Sequence, residues 1–426
     1  IGLGDPRTAD VFLARVEREP DGDAVGDLLL WVGTFRRPET VDRLLTLARS
    51  RKNLRGDAFD AVVLISGFGQ LSADVGSEDW PDPAALAKLH PLREDVFAKL
   101  LDAMAAATPT EPRTLNMVVL ARFARTPAVD APLAPLLTHP DDDLRHRALL
   151  SWSDRVRRGW AAADPLVKPL RHKNPTTQFL AAEGLARGGR GDGVGVLLSA
   201  VEYLDDVVLR QRAVLALGEL GDVRAVDVLL RLAGDDGHAL QEAAAEAIGH
   251  LRRSPEGDKI GRLLERLAKG AGGVAERALV GLRHFDSPDG WTLIRQRATD
   301  RGSWTVRKTA AEQLGHRDDP ANRDLLLKLL RTDPDHDVAA AAFKAARRLW
   351  GADSLDPHFA LIQRDDADEL DADDFGDPVG AACDRGDPLR LLDLFPRCGP
   401  AVQERLEASL SARAEVPTAA VSAALG

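Results

Sequence analysis

Leu209-Arg-Gln-Arg-Ala213-Val-Leu-Ala-Leu217-Gly218, followed eleven residues later by Leu229-Leu230, decides the fold because the chain repeats it. The next copy reads Leu240-Gln-Glu-Ala-Ala244-Ala-Glu-Ala-Ile248-Gly249, then Leu263-Leu264. The frame returns as Ala181…Leu185, Ala278…Leu282, Val306-Arg307-Lys-Thr-Ala310…Leu314-Gly315 and Ala342…Ala346, and upstream as Leu144-Arg145-His-Arg-Ala148…Trp152. Successive anchor alanines, at 148, 181, 213, 244, 278, 310 and 342, are 33, 32, 31, 34, 32 and 32 residues apart. A period that regular marks a repeat array.

Each copy has one physical reading. The anchor alanine, the residue four before it and the apolar residue four after it share one face of a helix. Gly218, Gly249 and Gly315 follow the last apolar position, where the pattern predicts a turn. A second amphipathic helix comes next, as in Ala225-Val-Asp-Val-Leu-Leu-Arg-Leu, and closes on the turn Gly234-Asp-Asp-Gly237. One such hairpin cannot cover its own apolar face, but stacked neighbours can. Composition agrees, since 44% of the 426 residues are hydrophobic, Leu, Ala and Val predominate, and there is one Tyr. Ala and Leu favour helix, and small Ala lets helices approach closely. The expected fold is all-α, an α-α superhelix of stacked hairpins.

The segments Asp205-Asp206…Leu209-Arg210…Ala213…Leu217-Gly218 and Asp300…Val306-Arg307…Ala310…Leu314-Gly315 resemble the HEAT-repeat family, in the short-repeat variant of phycobilin lyase-like proteins. The resemblance is clear over 141–350. It implies a right-handed solenoid, with a ladder in which the first Arg of each unit pairs with turn aspartates. Arg145, Arg210 and Arg307 fill that role. Gln178, Gln241, Ala275 and Ala339 replace it elsewhere, so the ladder is expected to be broken there.

Towards the N-terminus the frame is looser: Leu28…Val32-Gly33 with Leu44-Leu45, Ala61…Ile65, and Val119…Phe123 with Leu136-Leu137. Residues 66–95, with three Pro, three Gly and Trp80, break the period and read as an insertion or a non-standard connection. The period fails again after about 366, where an acidic run leads to helical segments near 387–395 and 400–413. The expected organisation is a solenoid of about ten repeats over 1–366, then an acidic segment and helical cap over 367–426.

Charge narrows the partner class. The formal net charge is −11, of which residues 351–377 carry −9, with nine Asp and one Glu against a single Arg. The remaining body is near neutral, without the broad basic excess of a protein that grips nucleic acid by its phosphates. Nucleic acid is disfavoured on this ground, though not excluded. Two cysteines, Cys383 and Cys398, are too few for a disulfide framework and read as reduced thiols. No apolar run approaches the ~18–20 residues of a membrane span, and no leader is visible. The expectation is a cytoplasmic, non-membrane chain, a monomer or part of a larger chain or complex.

The leading expectation is a non-catalytic scaffold or adaptor for a partner protein, with a nucleic-acid-binding or base-excision solenoid as the alternative and a phycobilin lyase-like enzyme as the second. A metal hydroxylase of the deoxyhypusine hydroxylase kind needs His-Glu pairs after the Val-Arg position of four repeats. Here those places hold His146-Arg147, Gln211-Arg212, Glu242-Ala243 and Lys308-Thr309, which supply no ligand set. A base-excision solenoid needs a basic face with aromatics, and residues 141–173 are its best candidate. They carry Arg145, Arg147, Arg155, Arg157, Arg158, Lys168, Arg171 and Lys173 with Trp152 and Trp160, although the frame makes Trp152 a core residue. A phycobilin lyase matches in repeat type, but repeat type reports architecture rather than activity. No GxSxG, P-loop or HExxH motif is present, and neither a cofactor nor a metal is expected.

The resemblance implies that the anchor-bearing helices line the concave side. Its polar positions, Arg145, Arg210, Gln211, Gln241, Glu242, Arg307 and Lys308, would make a mixed-charge wall suited to a protein partner. Arg187, Glu219, His250, His284, His316 and Arg348 share one place, six residues past the anchor, so three histidines form a column near helix C-termini. Repeats about 10 Å apart would keep them from sharing a metal. Helix-end charge complementarity is one reading of the column, and a stripe that binds an acidic partner more firmly at low pH is the other.

Overall fold

The computed structural model describes residues 7–18, 23–68, 93–351, 354–364, 366–367, 372–375, 377–386 and 388–411. Most of the 66–95 insertion, and part of the acidic run, lie outside them. The described elements are α-helices and short 3-10 turns, and no strand occurs among them. The chain forms two compact units, Ile1–Leu220 and Gly221–Gly426.

In the second unit the hairpins follow the sequence frame. Val226–Gly234 pairs with Gln241–Ala247 and its 3-10 extension Ile248–Leu251. Gly257–Ala268 pairs with Gly272–Phe285, Pro288–Arg297 with Trp304–Leu314, and Pro320–Thr332 with His336–Trp350. The anchor-bearing member of each pair packs on that of the next, so these helices form a row. Ala244, Ala278, Ala310 and Ala342 are all 0% exposed, as are Ile248, Leu282, Leu314 and Ala346 four residues on. Small anchors thus sit where helices approach most closely.

The first unit repeats the arrangement over Asp142–Arg157, Pro175–Arg187 and Val207–Leu220, with Ala148, Ala181 and Ala213 again fully buried. Between these helices the second member of a hairpin is often replaced by 3-10 turns, at Ala134–Thr138, Asp164–Val167 and Pro169–Arg171. Pro135, Pro165 and Pro169 lack the amide a regular helix needs there. Upstream, Ala61 and Ile65 are buried as the frame requires, whereas Val118 rather than Val119 takes the fully buried place.

Turn aspartates and asparagines serve as helix caps. Asp141 accepts from the Leu144 amide, Asn174 from Thr177, and Asp335 from Asp337 and Val338. Of the glycines after the last apolar position, Gly315 stands at the predicted turn, as the cap of Trp304–Leu314, whereas Gly218 and Gly249 lie within helical turns. Gly218 lies inside Val207–Leu220, Gly249 inside a 3-10 turn, and Gly315 has an ordinary φ of −69°. The left-handed glycine after Val207–Leu220 is Gly221, with φ 68°. What Gly249 and Gly315 provide is room: a Cβ on Gly249 would lie 2.2 Å from the Gly281 carbonyl oxygen, and one on Gly315 2.7 Å from Ala345 Cα.

At the C-terminal end Val379, Ala382, Cys383, Leu391, Phe395, Cys398, Val402, Leu406 and Leu410 share one apolar cluster with Phe359 and Ile362. The core of the cap therefore begins before residue 367. Both cysteines are buried and outside any disulfide, and burial pushes the Cys398 thiol up to about 11. The acidic run folds back on its own unit where it is described: Asp366 meets Arg364 and His336, Asp374 meets Lys344, and Asp377 meets Arg405.

Candidate functional site

The polar positions of the anchor helices separate into two sets. Those three residues before the anchor point into the turns. Arg145 is 0% exposed, donates to the carbonyls of His139 (2.6 Å) and Pro140 (3.3 Å), and also meets Asp142 and Thr177. Arg307 forms a buried two-pronged pair with Asp333, Nε–Oδ2 2.9 Å and Nη2–Oδ1 3.2 Å, and donates to Asp300 O. Arg210 Nε donates to Val201 O at 2.8 Å. Gln241 is buried and donates to Ala233 O and Asp236, and Gln178 donates to His172 O.

This is a ladder that closes turns, and glutamine maintains it with one amide group. Nor do the two alanines leave their turns open. Opposite Ala275, the Gly270 carbonyl accepts from Arg297 at 2.7 Å. For the turn before Ala339, buried Arg364 donates to Leu330 O (3.1 Å) and Asp333 O (3.0 Å). The expected breaks are therefore filled by arginines from elsewhere in the chain, Arg297 at the end of Pro288–Arg297 and Arg364 just past Asp356–Leu361. Burial of Arg145, Gln241 and Arg307 takes them off the wall on which the sequence had placed them for a partner.

The second set faces outward. Glu242 is exposed, and Gln211 and Lys308 are half-buried. In the second unit this open face carries cross-repeat pairs of opposite sign: Arg277–Glu246 at 3.0 Å, Lys308–Asp337 at 3.5 Å, Lys344–Asp374 at 3.0 Å, and a Thr305 hydroxyl donating to Glu276. In the first unit Arg187 and Arg212 converge on Glu183, whose side chain is 1% exposed, at 3.2 and 2.5 Å.

The Arg-rich stretch 141–173 is largely engaged in the fold. Arg155, 0% exposed, donates to the carbonyls of Ala124 and Thr126 and pairs with Asp130. Arg147 pairs with Asp143 and Arg157 with Asp154. Trp152 is buried and donates to Ala162 O, while Trp160 lies beneath Arg125 and Arg158. Those aromatics are filled positions, not free platforms for a base.

The histidine column is more tightly joined than a repeat spacing suggests. The rings of His250 and His284 lie 3.8 Å apart between centroids. Arg283 Nη2 approaches His284 Nε2 at 2.5 Å, Arg283 Nη1 approaches His316 Nδ1 at 3.0 Å, and Arg348 Nη1 approaches His316 Nε2 at 2.9 Å. Side-chain length closes the gap that backbone spacing leaves.

Burial, helped by neighbouring cations, holds all three imidazoles neutral. His284 is pushed down to about 3, by burial first and then by His250, Arg283 and His316. His316 is pushed down to about 4, by burial and then Arg283 and Arg348, and His250 is lowered by burial and Arg283. A histidine lowered from 6.5 binds fewer protons folded than unfolded, so its stabilisation is complete above that value and is lost as pH falls below it. A charged stripe waiting at mildly acidic pH is therefore not what the free protein presents. Between about pH 7 and about pH 4 the melting temperature is expected to fall, and H284Q to flatten that fall by about 2–4 °C. Superimposable thermal profiles for the two proteins would contradict this.

Two cavities lie along turn edges rather than on the open face. One of about 740 Å³ is lined by Asp300, Arg301, Trp304, Lys328 and Asp335 among others, and one of about 590 Å³ by Gln178, Asp192, Ser199, Tyr203 and Asp205.

Residues 163–249 and 260–347 match the family model of HEAT repeats. Residues 163–347 therefore carry HEAT repeats. No curated protein matches it in sequence. Among solved structures the chain is similar to Kap95p, whose binding induces the switch loops of RanGDP to adopt the GTP-bound conformation. That likeness has 14% identity and a TM-score of 0.47, over 96% of this chain and 58% of that one. The chain thus spans little more than half the length of Kap95p. It is also similar to human deoxyhypusine hydroxylase, at 15% identity and a TM-score of 0.26, over 68% of this chain and 96% of that one. Neither likeness bears on activity. Among the described residues, no three His, Cys, Asp or Glu side chains gather into a group able to hold a metal, and no helix is long and apolar enough to cross a membrane.

Proposed function

We propose that this chain is a non-catalytic scaffold that holds a partner protein on the open face of its anchor helices. The observation that carries the reading is the alternation of sign along that face in the second unit, Arg277 with Glu246, Lys308 with Asp337 and Lys344 with Asp374. Such a surface has no continuous positive field for a polyanion, but it matches the patchy charge of a folded protein. Exposed pairs of this kind contribute little to stability, at about 0–1 kcal/mol each, so they can re-pair with a partner at low cost. Engagement of Arg145, Arg155, Trp152 and Trp160 within the fold also speaks against the base-excision reading.

Fluorescence anisotropy with labelled duplex and single-stranded DNA tests the choice of partner class. No binding is expected at about 50 mM salt, where phosphate contacts are strongest. Micromolar affinity with a steep salt slope would overturn the scaffold reading.

A further inference from the structure

Two arginines on the open face of the second unit, Arg283 and Arg348, face imidazole nitrogens rather than carboxylates. Among the described residues, no carboxylate lies within ion-pair distance of Arg283 or Arg348, and their contacts are to imidazole nitrogens. A neutral imidazole offers one acceptor nitrogen and one N–H, and a guanidinium only donates. His316 presents both ring nitrogens to guanidinium N–H groups, at 3.0 Å from Arg283 and 2.9 Å from Arg348. One of these contacts therefore sets donor against donor. Arg283 Nε is buried and meets no acceptor.

The first unit shows what is missing. There Arg187 and Arg212 converge on Glu183, two residues past the anchor of Pro175–Arg187. Val280 holds the equivalent place in Gly272–Phe285. Neighbouring carboxylates do not substitute for it. Glu246 is taken by Arg277, and Asp286 lies between Arg252 and Arg317. Glu312, beside Lys308 and Lys344, bears on Arg348 without pairing with it. The negative ends of helix dipoles explain why cations gather here, but not why donors face one another.

We propose that Arg283, Arg348, His284 and His316 form a binding site for an oxyanion with at least three acceptor oxygens, presented as a phosphorylated side chain of the partner protein. The donors arrive from three successive repeats, so they surround a point rather than flank a plane. A tetrahedral phosphoryl group satisfies such a set, whereas a carboxylate offers two coplanar oxygens. Guanidinium groups suit phosphoryl oxygens in geometry and weak hydration. An oxyanion between Arg283 and Arg348 would also give His316 an acceptor for its N–H.

This inference rests on the protein-partner reading. Its test uses the full chain with fluorescein-labelled peptides of one sequence bearing phosphoserine, Glu or Ser at the centre, and inorganic phosphate as competitor. The phosphoserine peptide should bind at least about tenfold more tightly than the Glu peptide. R283Q/R348Q should abolish that preference, and H316A, checked for an unchanged melting curve, should weaken binding about threefold or more. R323Q/K328Q, which removes equal charge elsewhere on the same unit, should leave it unchanged. Equal binding of the three peptides, or equal loss in both double variants, would overturn the site. Phosphate competing as strongly as the peptide would overturn the protein-borne source and point to a small phosphorylated ligand. A partner protein still captured by R283Q/R348Q would refute this site while leaving the scaffold reading in place.

Discussion

R307A is expected to cost about 3–5 kcal/mol in unfolding free energy, the range for removing one partner of a buried ion pair. The Arg307 side chain is 10% exposed and that of Asp333 5%, and the two are joined by two hydrogen bonds. Truncating Arg307 leaves the Asp333 carboxylate buried with only the Asp335 amide donating to it. It also removes the donor to Asp300 O in the preceding turn. The size of the effect comes from the stranded charge rather than from net attraction, which desolvation largely offsets. R307M/D333L should therefore recover much of the loss. Denaturant unfolding of R307A and R307M/D333L checks this, and a double variant no more stable than R307A would show that the ladder, not the stranded charge, dominates.

G281A is the second large effect. A Cβ on Gly281 would lie 2.5 Å from Ala245 O and 2.8 Å from Leu264 Cδ2, and the Gly281 carbonyl itself faces Gly249. Leu264 can rotate away, but the backbone oxygen cannot, so adjacent anchor helices must separate. Overpacking of this kind costs about 1–3 kcal/mol, set against about 1 kcal/mol that Ala gains over Gly in a helix. A net loss of about 1 kcal/mol, and at most about 2, is expected, and G281V should lose more. Gly195 is a control, because its Cβ would meet nothing within 4 Å. G195A should be neutral or slightly stabilising, and thermal melting of these variants separates crowding from propensity. A G281A protein as stable as wild type would mean that the two helices are not locked at this distance.

The repeat was legible because it is enforced by contact. An anchor at a helix crossing must be small, and the residue a turn later must be apolar, so burial leaves a period in the sequence. Helix ends were legible where proline or a capping aspartate marks them, as at Asp319-Pro320 and Asn174-Pro175. The ladder was only partly legible. Arg145 and Arg307 stand in the frame, but Arg297 and Arg364 reach the same kind of turn from elsewhere in the chain, and no local spacing announces that. Gly249 looked like a turn residue because it follows the last apolar position, while its neighbour across the helix row is Gly281, thirty-two residues away. Long side chains produced the remaining difference. Backbone spacing separates His250, His284 and His316, but arginine and imidazole reach across it, and reach is a property of rotamers that a linear pattern does not carry.

The central claim is that the open face of the second unit holds a protein. Exposed Arg277 and half-buried Lys308 lie on that face, whereas Arg323 pairs with Asp318 away from it. Affinity capture from the native cell extract, compared quantitatively between wild type, R277E/K308E and R323E, tests the claim most directly. The account predicts that one or more proteins recovered with wild type and R323E are depleted at least about tenfold with R277E/K308E, because charge reversal opposes like charges across the contact. An identical set of proteins on all three baits, with R277E/K308E folded as judged by its melting curve, would contradict it.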